Sequence, residues 1–86
     1  MSLQFIGIDP STGDDESPTV WVDHEQKELV LQGWKPGPEL EAECAAFDLP
    51  GHAKGIPDHE AVIRIPARMV SVIRKACDEV ERADVR

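Results

Sequence analysis

The range 60–85 constrains the fold most, because a short apolar run passes through a proline into the longest amphipathic stretch of the chain. Its first part, 61–65 (AVIRI), is rich in β-branched residues and has the length of a strand. Pro66 lacks an N–H and has a fixed φ, so it ends a strand ladder and suits the first turn of a helix. The range therefore predicts a strand at 61–65 followed by a helix at 66–83.

The predicted C-terminal helix has one apolar side. Apolar residues recur at steps of three and four positions, which is the period of an α-helix. These residues are Met69, Val72, Ile73, Ala76, Cys77, Val80 and Ala83. Charged and polar residues fill most of the other side. We expect this helix to pack on one face of a sheet and to close a small core.

Three earlier apolar runs have the composition of strands, and turn-forming residues bound them. They occupy 3–8, 19–23 and 28–34. The four residues between the second and third runs fit a hairpin turn. A second, shorter helix is predicted at 38–47, because a proline can open it and acidic residues lie near its start.

The fold class that follows is α+β. Leu40, Cys44 and Phe47 give the middle helix a narrow apolar edge. The range 49–59, with two glycines and two prolines, is predicted to be a mobile loop. We expect a single small domain over 1–86, with an antiparallel or mixed sheet of about four strands and the C-terminal helix on one face.

Alternation along the strands defines two faces. The residues predicted to face the C-terminal helix are Val20, Val22, Leu29 and Leu31. Trp21 and Val30 take the opposite face, so Trp21 needs a cover. The cover is either another part of this chain, such as the middle helix, or a partner, because aromatic residues are enriched in the cores of interfaces.

Charge limits the partners. Nine basic and seventeen acidic residues give a formal net charge of −8. Binding to DNA, RNA or an anionic membrane needs a cationic surface, so none of these is expected as a direct ligand. An acidic chain is suited to a basic protein partner, although the same charge also serves solubility.

Cellular location is predicted from two further features. Cys44 and Cys77 have no CxxC spacing and are expected to be reduced, partly buried thiols. The first residues have no basic region or long apolar run of the kind found in signal peptides or membrane spans. We therefore expect a cytoplasmic protein.

The acidic loop at 9–17 raises the question of a metal site. An EF-hand reading fails, because the position of its required glycine holds Asp14 and that of its closing glutamate holds Val20. The run FIGIDP at 5–10 resembles the first-strand motif of Holliday-junction resolvases, whose aspartate holds a catalytic metal; here that residue is Asp9. Two-metal chemistry needs several converging carboxylates, so we do not expect a nuclease.

Other catalytic arrangements are not expected either. His24, His52 and His59 lack the paired spacing of a zinc site. Cys77 lies on the apolar stripe, where a thiol is a poor nucleophile. The glycines form no phosphate-binding fingerprint. We expect no enzyme activity, no metal and no cofactor.

Two stretches carry a resemblance to a family. MSLQFIGIDP at 1–10, followed by TGDD at 12–15, is one, and DHEAVIRIPARM at 58–69 is the other. They resemble small acidic proteins of actinomycetes that are encoded beside a helix-turn-helix regulator and a short BldB-like protein. The resemblance implies an accessory role in developmental or antibiotic regulation, as a protein partner of the regulator.

The leading hypothesis is thus a non-enzymatic acidic interaction domain. Its predicted interaction residues are Trp21, Val30, Asp14, Asp15 and Glu16. The first alternative is a metal-binding or small-molecule enzyme that uses the acidic loop at 9–16. The second is a homodimer that buries the face carrying the tryptophan.

Overall fold

The computed structural model describes residues 3–11, 17–52 and 54–85. Its elements are β1 (Leu3–Ile8), β2 (Thr19–Asp23), β3 (Glu28–Gln32), α1 (Pro38–Ala45), a 3₁₀ turn (Ala67–Met69) and α2 (Val70–Val85). The described residues thus contain a three-stranded antiparallel sheet and two α-helices. This arrangement confirms the predicted α+β class.

The chain divides into two compact units. The first, which we call the sheet unit, consists of Met1–Gly33 and Ile65–Arg86 and contains the sheet and α2. The second, which we call the middle unit, is Trp34–Arg64 and contains α1. Within the described residues, no helix is both long and apolar enough to cross a membrane.

The sheet has the strand order β1-β2-β3, and both pairs are antiparallel. β2 and β3 are joined by the predicted four-residue turn. The Asp23 carboxylate accepts hydrogen bonds from the backbone N–H groups of Glu25 and Gln26, each at 3.0 Å. Lys27 completes the turn with a left-handed φ of 58°. This local bonding fixes the β2–β3 register.

The core of the sheet unit lies between the sheet and α2. Val20 and Val22 of β2, together with Met69 and Ala76, are 0% exposed. Partly buried residues packed against them are Ile6, Ile65, Val72, Ile73 and Val80. The buried apolar residues of β2 alternate, and those after Pro66 follow the three- and four-residue steps of the sequence. Burial of apolar area is therefore concentrated on one face of β2 and one side of α2. The expectation that Leu29 and Leu31 of β3 lie in this core is wrong, because they are 37% and 38% exposed.

The contact between β1 and α2 is close at Gly7. A Cβ atom placed on Gly7 would lie 2.8 Å from Cγ1 and 3.3 Å from Cγ2 of Val72. Carbon atoms in proteins do not approach to 2.8 Å without repulsion, so any larger residue would displace the Val72 side chain or the helix that carries it. The glycine is what allows α2 to lie near the strand.

The predicted fourth strand at 61–65 is not confirmed. In that range the structure has one isolated antiparallel bridge, in which the N–H groups of Trp34 and Arg64 each donate to the other's carbonyl oxygen at 2.8 and 2.9 Å. The next hydrogen-bonded positions of such a ladder lie two residues away, and they hold Pro36 on one side and Pro66 on the other. Proline has no N–H to donate, so the ladder ends after one pair.

Helix boundaries also differ from the prediction. The middle helix ends at Ala45, so Phe47 lies beyond it and is 60% exposed. No residue of α1 is fully buried, which leaves little packing to extend the helix. The C-terminal helix begins as the 3₁₀ turn, with extended Pro66 before it, and continues to Val85 rather than ending at 83.

Candidate functional site

The sheet face opposite α2 brings together the two apolar residues predicted to make contacts. Trp21 is paired directly with Phe5 on one side and with Val30 on the other. Directly paired residues of an antiparallel sheet point to the same side, so these three side chains form a row across the strands. Val20 and Val22 point to the opposite side and are buried in the core.

A bulge in β1 adds a further apolar residue to this face. The register shifts between Phe5 and Gly7, so that Ile8 lies opposite Thr19 and on the same side as the tryptophan. Strict alternation without the bulge would have turned Ile8 toward α2. Leu3, Phe5 and Ile8 are 45%, 58% and 43% exposed.

We call five residues the far-face patch: Leu3, Phe5, Ile8, Trp21 and Val30. The three residues of β1 are exposed, and the other two are partly buried. Side chains on directly paired positions are about 5 Å apart at Cβ, so the members of the row are neighbours rather than scattered residues. A contiguous exposed apolar surface of this kind is typical of interaction sites. A partner that covers the patch would release water from apolar surface, including that of the aromatic rings of Phe5 and Trp21.

Polar and acidic groups border the patch. At one end, Asp23 is paired with Leu3 and with Glu28. At the other end, Gln32 Nε2 donates a 2.7 Å hydrogen bond to the carbonyl oxygen of Ser17. The predicted acidic contact residues follow β1 in sequence but lie outside the described residues; they are Asp14, Asp15 and Glu16.

Asp9 is held by an arginine from the start of the C-terminal helical segment. Arg68 Nε and Nη2 donate to the two carboxylate oxygens at 2.7 and 2.6 Å, and the Ser11 N–H donates to Oδ1 at 3.0 Å. The Asp9 N–H donates to the Pro18 carbonyl at 2.9 Å. The hydrogen bond from Arg68 lowers the pKa of Asp9, against burial, which raises it. This aspartate, 1% exposed, therefore joins the base of the loop to the helix.

The bidentate pair bears on the metal alternative. Both oxygens of Asp9 accept hydrogen bonds from Arg68, so a cation would have to displace a guanidinium to bind there. In the parts of the chain that the structure describes, no three or more His, Cys, Asp or Glu side chains are grouped to hold a metal. His24 is one of the three histidines considered above for a zinc site. Its Nε2 atom lies at hydrogen-bond distance, 2.6 Å, from Oε1 of Gln4.

Sequence reasoning missed the β1 members of the patch. Leu3 and Phe5 alternate with polar Gln4, which is the period of a strand with two different faces. A glycine inside a strand marks a bulge or a close backbone approach, so Gly7 was the signal for the change of side at Ile8. These two signals separate the faces of β1, and the register of β1 with β2 then places Leu3, Phe5 and Ile8 on the side of Trp21.

The chain was compared with protein-family models, with curated proteins and with solved structures, and none of the three searches returned a match. The resemblance to small acidic actinomycete proteins therefore stays a prediction.

Proposed function

We propose that this protein is a non-enzymatic interaction domain that binds a basic partner protein through the far-face patch. The observation that carries the proposal is the exposure of Leu3, Phe5 and Ile8 beside Trp21, on the face of the sheet opposite its helix. Exposed aromatic and aliphatic groups at the centre of a surface supply the binding energy of many interfaces.

Charge supports a basic partner. The net charge of −8 attracts a cationic surface over roughly one Debye length, about 8 Å at physiological salt. Such attraction raises the rate of encounter more than it raises the final affinity. The two parts of the mechanism are thus separable: acidic groups bring the partner in, and the patch holds it by excluding water.

A helix-turn-helix transcriptional regulator is the partner we propose. Two considerations support this choice: the resemblance of the two stretches described above to proteins encoded beside such regulators, and the basic surface that any DNA-binding protein must present. An acidic domain bound to that surface would compete with DNA. In this scheme the protein is an accessory factor that reduces DNA binding by its partner.

The test is capture of the tagged protein from its host, with identification of retained proteins by mass spectrometry. Phe5→Ala and Trp21→Ala should each lose the partner. Phe47→Ala is the matched control, because that phenylalanine is 60% exposed against 58% for Phe5 but lies in the middle unit. A regulator that all three variants retain equally would show that the patch is not the binding surface.

Two further measurements separate this proposal from self-association. Purified regulator and wild-type protein should form a complex that weakens as salt rises, because screening removes the steering. Light scattering should give the monomer mass. A dimer that dissociates in Phe5→Ala, with no regulator bound, would mean that a second copy occupies the patch instead.

A further inference from the structure

The middle unit contains a groove that the proposed function does not use. It has a volume of about 510 Å³ and is lined by α1 and by the segment at 56–60. Ala42 and Ala45 are three positions apart on α1, so they lie on one side of the helix. Ile56 and Pro57, both partly buried, line the groove from the other segment. Its floor is therefore apolar, and the two alanines are small enough to leave it open.

Acidic side chains surround this floor. Glu41 comes from α1, and Asp58 and Glu60 come from a turn closed by a 2.9 Å hydrogen bond from the Glu60 N–H to the Pro57 carbonyl. All three acidic residues are exposed. Among the described residues, those that line the groove include no lysine or arginine. The site thus combines an apolar floor with three acidic groups, of which Glu60 also lies 3.6 Å from Nε2 of the exposed His59.

The two units use charge differently. The far-face patch is apolar across its centre, with acidic groups at its border, whereas the groove has its acidic groups in its own lining. A negatively charged ligand would be repelled at the groove. A purely apolar ligand would gain nothing from the carboxylates, which are exposed and hydrated. The complementary ligand has a cationic head beside an apolar stem.

We propose that the groove binds a short basic segment of polypeptide, with an aliphatic side chain on the alanine floor and an arginine or lysine at the acidic rim. Arginine and lysine carry charge on a long apolar stem, which matches an apolar floor with a carboxylate edge. The groove volume lies within the range of about 300–1,000 Å³ that is usual for ligand sites, which is room for a few side chains.

The probe is a fluorescein-labelled peptide of alternating leucine and arginine, added to the full-length protein and followed by anisotropy at low salt. The same peptide with glutamate in place of arginine should not bind. The double variant Glu41→Gln/Asp58→Asn should weaken binding about fivefold, since two exposed ion pairs contribute about 0.5 kcal/mol each. Glu39→Gln is the matched control: it lies on α1, is exposed and is outside the groove lining.

A floor variant tests the apolar part. Ala42 is exposed on α1, and Ala42→Arg should fill the groove with a cation while keeping a good helix former at that position. Binding of the probe should then be lost. The proposal is overturned if Ala42→Arg binds normally, if Glu39→Gln weakens binding as much as the double variant does, or if spermidine competes as well as unlabelled peptide.

The same assay distinguishes this site from the far-face patch. Phe5→Ala, which should lose the basic partner protein, should bind the probe as wild type does, because the phenylalanine belongs to the sheet unit and the groove to the middle unit. Loss of probe binding in Phe5→Ala would assign the peptide to the patch and overturn the groove. Failure of the groove therefore leaves the proposed function untouched, and the reverse also holds.

Discussion

The two faces of the sheet are built from the same strands, yet their central apolar residues differ in exposure. The difference does not extend to β3, where Leu29 and Leu31 on the side of α2 are 37% and 38% exposed. On the side of α2, Val20 and Val22 are 0% exposed. On the other side, Phe5 is 58% exposed although it is paired directly with Trp21 of the same central strand. Neighbouring residues of one strand therefore serve different purposes: one set stabilises the fold, and the other is left for contact.

The helix explains why the two faces differ. α2 has a single apolar stripe, so it can cover only one side of the sheet. It reaches that side closely because Gly7 has no side chain where Val72 packs. Substitutions can therefore be chosen that alter one face of the sheet and leave the other unchanged.

Truncating the core should have the largest effect. Met69 is 0% exposed and is among the largest fully buried side chains in the described residues. Met69→Ala removes buried apolar atoms and leaves a cavity, so we expect a loss of about 2–5 kcal/mol in the free energy of unfolding. Urea denaturation followed by tryptophan fluorescence measures it. A loss below about 1 kcal/mol would mean that the 3₁₀ turn and α2 do not close the core as described.

Enlarging Gly7 should have the next largest effect. Gly7→Ala places a methyl group 2.8 Å from Val72 Cγ1, so the Val72 side chain or the helix that carries it must shift. We expect a loss of about 1–3 kcal/mol, as for other overpacked sites. Val72→Ala in the same chain removes the clash, and the double variant should be more stable than the sum of the two single changes predicts. Strict additivity would show that the two residues do not meet.

The ion pair of Asp9 predicts an effect confined to acid pH. Because Arg68 lowers the pKa of Asp9 below its ordinary value of 3.8, the ionised carboxylate stabilises the fold above that value. The contribution is lost as pH falls through the lower, folded-state pKa. Wild type should therefore lose stability on acidification below about pH 4, and Asp9→Asn should start less stable at neutral pH and lose less.

Urea midpoints measured from neutral to strongly acid pH give the comparison. Asp78→Asn, which removes an exposed acid from α2, is the control and should follow the wild-type pH profile. An Asp9→Asn profile parallel to that of wild type at all pH values would show that the pair with Arg68 does not govern acid stability. The sheet face that carries Phe5 is not altered by either substitution.

Predictions that depend on local sequence signals are confirmed, whereas the prediction that depends on pairing between distant segments is not. The strands at 3–8 and 19–23 match the structure residue for residue, because alternation and turn residues are local signals. The range 61–65 has strand composition but forms a single bridge, because pairing depends on proline positions in two segments distant in sequence. Strand propensity describes the composition of 61–65 correctly, but it does not show whether another segment can pair with that range.

The candidate site shows the same limit. Alternation placed Trp21 and Val30 on one face, and the β2–β3 register makes them direct neighbours. The row continues to Phe5 only because of the register of β1 with β2, and to Ile8 only because of the bulge. Unlike the β2–β3 register, which a short turn fixes, the register of β1 with β2 depends on packing on the buried face, so composition alone did not reveal it.

The smallest effect on stability should come from the far face itself. Phe5→Ala removes a ring that is 58% exposed and lies outside the buried cluster, so the free energy of unfolding should change by about 0.5 kcal/mol or less. Phe47→Ala, at a phenylalanine of nearly equal exposure, should do the same. Only the first should abolish partner capture, since only Phe5 belongs to the patch. A loss for Phe5→Ala as large as that for Met69→Ala would mean that both faces of the sheet support the fold, and the division between a stabilising face and a contact face would no longer hold.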